Sequence, residues 1–62
     1  MRLQINFNRD KKHYVMQALI QINNQGFDQP CVDNLIDLGK YIRDDLGFTK
    51  RTRIFDTFIF TK

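Results

Sequence analysis

Few residues in this sequence could do covalent chemistry. It contains no glutamate, one histidine (His13), one cysteine (Cys31) and seven acids, all of them aspartate. A hydrolytic triad or an acid–base pair needs partners that this inventory does not provide. A structural zinc site takes four ligands, usually Cys and His, and His13 with Cys31 would supply only two. No catalytic residue, metal site or cofactor is expected, and the chain is not read as an enzyme. Glycines at 26, 39 and 47 are too scattered to form a loop that cradles phosphate. His13 stands beside Lys11 and Lys12 and fits a surface or phosphate-facing imidazole. Cys31 fits a small buried hydrophobe, because Asp28 and Asp33 oppose the pKa depression that a helix N-terminus gives a thiol.

Recognition chemistry is better represented. Arg2, Gln4 and Asn6 alternate with Leu3, Ile5 and Phe7, so as a strand they would share one face. Their forked polar groups match base edges, arginine with guanine and the two amides with adenine. Arg2, Gln4 and Asn6 are therefore the candidate base contacts. Arg9, Lys11, Lys12, Arg51 and Arg53, with Lys50 beside them, are the candidate phosphate contacts. Two such strands, one from each of two chains, would make a ribbon that fits the major groove.

The elements that must carry these residues follow from hydrophobic spacing. Residues 2–8 alternate without a break and predict a half-buried strand. From Arg9 or Asp10 to Asn24 the period becomes helical, with Tyr14, Val15, Ala18, Leu19 and Ile22 on one arc. Asn8 or Asp10 would cap this helix, and Gln25-Gly26 would stop it. Met16 and Ile20 widen its apolar surface beyond what a monomer's surface helix needs. Asp28 followed by Gln29-Pro30 predicts a second helix over 29–46, with Asp28 as cap and proline in the first turn. Its apolar arc holds Val32, Leu35, Ile36, Leu38, Gly39, Ile42 and Leu46, and Asp33, Asp37 and Asp44 form the opposite ridge. Gly39 on that arc suggests close approach of another element's backbone. Gly47 closes the helix, and Phe48 can fold back on its last turn. Thr, Ile and Phe in the tail favour a strand over 53–60, although Ile54, Phe55, Phe58 and Ile59 also fit a helical stripe.

Size and charge bound the function. A 62-residue chain is expected to be one small domain, burying only about 60% of the surface its unfolded form exposes. With no disulfide or zinc available, oligomerisation is the remaining source of stability, and a homodimer is expected. The apolar runs are too short for a membrane span, and Met1–Asn6 alternates where a secretory signal would be apolar throughout. A cytoplasmic protein with no membrane partner is expected. The net charge of +3 divides unevenly. Residues 1–26 hold four cations against one acid (+3), residues 27–46 two cations against five acids (−3), and residues 47–62 four cations against one acid (+3). The basic ends favour polyanion partners.

A polar-faced strand, a helix, the Gly26-Phe27-Asp28 turn and a second helix together resemble the ribbon-helix-helix repressors of the Arc, MetJ and CopG type, over residues 2–46. With the strand-like tail the chain reads as an α+β fold of β-α-α-β order, and the resemblance implies that it forms an intertwined homodimer. It also implies an antiparallel ribbon in the major groove of duplex DNA, read by Arg2, Gln4 and Asn6, with Leu3, Ile5 and Phe7 on its core side. The function implied is a small sequence-specific repressor or an accessory factor of a mobile element. Where the family places neutral hydroxyl residues at the second helix start, this chain has Asp28 and Asp33, and residues 49–62 lie beyond the family's minimal unit. The alternative is a small module that inhibits or adapts a larger host protein through the Asp33/Asp37/Asp44 ridge or the aromatic tail. A weaker possibility is a single-strand binder stacking bases on Phe55, Phe58 and Phe60.

Overall fold

The computed structural model describes every residue except Arg9 and Lys11. Its elements are β1 (Arg2–Asn6), α1 (Tyr14–Asn24), α2 (Leu35–Lys40), a π-helical continuation (Tyr41–Asp45), β2 (Lys50–Ile54) and β3 (Thr57–Thr61). The class is α+β, as expected. The last strand lies in the middle of the sheet, which has the order β1-β3-β2 and is antiparallel throughout. Residues 2–6 thus pair with 57–61 of their own chain, Leu3 opposite Phe60 and Ile5 opposite Phe58.

The second edge of β1 is also occupied. Gln25 Oε1 accepts from the Gln4 amide at 3.0 Å, and its Nε2 donates to the Gln4 carbonyl at 2.7 Å. Gln21 does the same for Asn6, at 2.8 and 2.9 Å. Two side-chain amides one helical turn apart thus imitate the hydrogen-bonding edge of a fourth strand. A second copy's β1 could pair here only by displacing both glutamines.

Several sequence expectations are corrected. The first helix begins at Tyr14 rather than Arg9 or Asp10, because His13 adopts a left-handed conformation (φ 65°) that a helix cannot continue through. Asn8 makes a local turn instead, its Oδ1 accepting from the Asp10 amide at 3.1 Å. The second helix begins at Leu35, not at Gln29. Asn34 caps it, with Oδ1 accepting from the Asp37 amide and Nδ2 donating to the Asp37 carboxylate, both at 2.9 Å. That reciprocal cap outcompetes Asp28-Gln29-Pro30, whose segment is held outside the helix by Tyr41 Oη donating to the Asp28 carbonyl at 2.7 Å. Cys31 consequently lies in this non-helical segment and is exposed rather than buried. The tail is a hairpin of two strands where one strand over 53–60 was expected. Its two-residue turn, Phe55-Asp56, contains no Gly or Asn to mark it in the sequence.

Other expectations hold. Gly26 and Gly47 follow the helices at φ 94° and 79°, and Phe48 folds back, its amide donating to the Ile42 carbonyl. Leu3, Ile5 and Phe7 join Ala18, Leu19, Ile22, Leu38, Ile42, Phe48 and Phe60 in one core. Each fully buried Leu or Ile there contributes about 1.5–3 kcal/mol. Phe7 meets Phe58 edge-on at 5.1 Å, and Phe27 meets Phe48 at 5.5 Å. Met16 and Ile20 remain 57% and 42% exposed on α1, a helix with no charged residue. Gly39 departs from expectation: no other element lies within 4 Å of where its Cβ would be. No described helix is long and apolar enough to cross a membrane.

Candidate nucleic-acid interface

Both helices pack on one face of the sheet, because Leu3, Ile5, Phe58 and Phe60 point toward them. Strand alternation then fixes the other face as three rows. Across β1, β3 and β2 these are Arg2–Thr61–Lys50, Gln4–Ile59–Thr52 and Asn6–Thr57–Ile54. The β1 and β2 members of every row are exposed and the central β3 members half-exposed. Two side chains on this face are cations and none is a carboxylate. With strands about 4.8 Å apart, the face is about 10 Å across, narrower than the major groove at about 12 Å.

The structure brings some of the expected site residues together and separates others. Arg2, Gln4 and Asn6 share the outward face, as alternation required. Arg2 Nη2 donates to Gln4 Oε1 at 3.1 Å, so the first two form a single unit. One lone pair of Gln4 Oε1 is thereby engaged, and the pair presents mainly N–H donors. Asn6 shares a cleft of about 400 Å³ with Asn8, Lys12, Tyr14, Gln17 and Gln21, which places Lys12 on the flank of β1. Arg51 and Arg53 lie opposite Phe60 and Phe58 and so point to the helix side, where both guanidiniums stand over the Phe58 ring, at 5.8 and 5.5 Å. They do not share a face with the base-reading candidates. Lys50 does; the signal for it was present in the period of two, and only the register was missing. Arg9 and Lys11 lie outside the described residues. His13 is exposed, as expected.

No family model, curated protein or solved structure matches this chain. The chemistry of the surface therefore rests on its own geometry.

The acidic side is organised differently. Asp33, Asp37 and Asp44 are exposed, but Asp33 precedes the helix and all three carboxylates have local partners, Asp33 accepting from Asn34 Nδ2 at 3.1 Å. Asp37 is held by Asn34, and Asp44 by Arg43 at 2.8 Å. The hydrogen bond and charge of Arg43 pull the Asp44 carboxyl below its ordinary pKa, and Asp44 in turn raises that of Arg43. Of the proposed stacking platforms, Phe60 is buried and Phe58 half-buried against Phe7, leaving Phe55 alone in solvent. No group of three or more potential metal ligands gathers among the described residues.

Proposed function

We propose that this chain is a duplex-DNA-binding protein that applies the outward face of its sheet to the major groove. One observation carries the reading: an uncovered face of groove width holds Arg2, Gln4, Asn6 and Lys50 and has no carboxylate. In this reading the Arg2–Gln4 pair reads bases and Lys50 and Lys12 neutralise phosphates. Because the pair presents mainly donors, it favours the two acceptors of guanine over the mixed edge of adenine. Base reading is thereby proposed for the chain's own three-stranded sheet, since β1 has no free edge with which to build a two-chain ribbon. A homodimer remains part of the proposal, supported by Met16 and Ile20 exposed on a charge-free helix.

Gel shift against a random duplex library across a salt series tests it. With Lys12 and Lys50 each neutralising about one phosphate, the slope of log K against log salt should be about −2 for each chain bound. Lys50→Ala should weaken all duplexes alike and flatten that slope by about one, whereas Gln4→Ala should relax the selected sequence. Absence of duplex binding at low salt, or binding indifferent to Arg2→Ala and Lys50→Ala, overturns the reading.

A further inference from the structure

Phe55 is the residue that the fold explains least. The other phenylalanines, at 7, 27, 48, 58 and 60, lie in or against the core, whereas Phe55 is 90% exposed. Its backbone stands at φ 55°, in the first position of the two-residue turn between β2 and β3. Glycine, asparagine or aspartate ordinarily fills such a position, because a bulky side chain with a Cβ is strained there. The residue is thus unfavourable twice, in backbone conformation and in hydration, with no packing to offset either. An outlier of this kind points to function.

The turn is also firmly based. Arg53 Nε donates to the Phe55 carbonyl at 2.8 Å, and the Phe7 amide donates to the Asp56 carbonyl at 2.7 Å. The ring therefore projects from a tied corner, with Ile54, 54% exposed, beside it and the cations Lys50, Arg51 and Arg53 on the strand leading to it.

We propose that Phe55 is a wedge that inserts between adjacent base pairs, so that the protein kinks the duplex it binds. The proposal rests on the DNA reading above and adds a second mode of contact to it. One ring and one isoleucine make a tip that suits the slot between two base pairs, while a lipid interface calls for a broad apolar face.

The test compares the full chain with Phe55→Asn and Phe55→Trp. The probe is a duplex of about twenty base pairs, with 2-aminopurine beside a central TA step, which unstacks easily, and a fluorescence-transfer pair at its ends. The wild type should raise the 2-aminopurine emission and shorten the end-to-end distance. Phe55→Asn should melt at a higher temperature than the wild type, bind at least about tenfold more weakly and leave the probe stacked. Phe55→Trp should keep the unstacking. If the wild type binds without unstacking or bending, or if Phe55→Asn unstacks the probe equally well, the wedge is overturned and the DNA reading stands. If the folded wild type does not bind the duplex at all, the DNA reading fails and the wedge with it.

Discussion

Gln21 grips Asn6 by both of its backbone groups, accepting from the amide at 2.8 Å and donating to the carbonyl at 2.9 Å. An amide side chain can do this because it carries a donor and an acceptor in the same plane, as a peptide unit does. Gln25, four residues on, repeats the grip on Gln4. Helix α1 is thereby tied along the edge of β1.

Replacing Gln21 with Ala removes both bonds to Asn6, at about 0.5–1.5 kcal/mol each. The melting temperature should fall by several degrees, and amide exchange at Asn6 should accelerate while that at Gln4 stays slow. Gln21→Glu should be worse than Ala at neutral pH, because a carboxylate would face the Asn6 carbonyl with no hydrogen to donate, and the defect should shrink in acid. Equal exchange at Asn6 in the wild type and Gln21→Ala would show that the grip is not made in solution.

The two possible starts of the second helix differ sharply in their mutational cost. Asn34→Ala removes the cap on Asp37 and should cost about 0.5–2 kcal/mol, measured by denaturant unfolding. Asp28→Ala leaves the backbone carbonyl that Tyr41 uses and should change stability by less than about 0.5 kcal/mol. The reverse order would place the helix start where the sequence pattern first suggested.

Gly39 lies inside α2 with open space around its missing Cβ. Gly39→Ala should therefore stabilise the fold by about 1 kcal/mol through helix propensity alone. Calorimetry should show a rise of about 4–8 °C for a chain of this size. A fall would mean that another surface approaches closely at this position.

Tyr41 gives the fold an alkaline limit. Partial burial, then the Asp28 and Asp45 carboxylates, raise its pKa above the ordinary 10.0. A group whose folded pKa exceeds its unfolded value contributes stability that is complete below the unfolded pKa and is lost as pH rises through the folded one. Stability should therefore be level below about pH 9 and decline from about pH 10 upward as the phenol loses the proton it donates to the Asp28 carbonyl. In Tyr41→Phe that component of the alkaline decline should vanish; an unchanged profile would assign it to other groups.

Much of the fold was legible wherever period and side chain agree. Leu3, Ile5 and Phe7 were assigned to the core by alternation alone, and Ala18, Leu19 and Ile22 by helical spacing. Helix starts were less legible, because Asp28-Gln29-Pro30 and Asn34-Leu35-Ile36-Asp37 both carry cap chemistry, and only tertiary contacts choose between them. The hairpin at 55–56 was invisible because Phe55 occupies a position that glycine would have announced. For the candidate interface, alternation placed Arg2, Gln4 and Asn6 on one face. Alternation also separates Lys50 from Arg51 and Arg53, but which of the two sides joins Arg2, Gln4 and Asn6 is decided by the pairing of both strands with β3.

With β1 sealed by glutamines and β2 paired only to β3, the sheet has a valence of one. Growth by strand addition can proceed from β2 alone, and joining two chains there uses up both available edges. The product is a closed pair of six strands and not a fibre, so a crowded solution of this protein has a built-in chain terminator. Even that pair meets a toll: two β2 strands aligned antiparallel about Thr52 set Arg51 against Arg53 twice, a repulsion that salt screens and a bound polyanion would relieve.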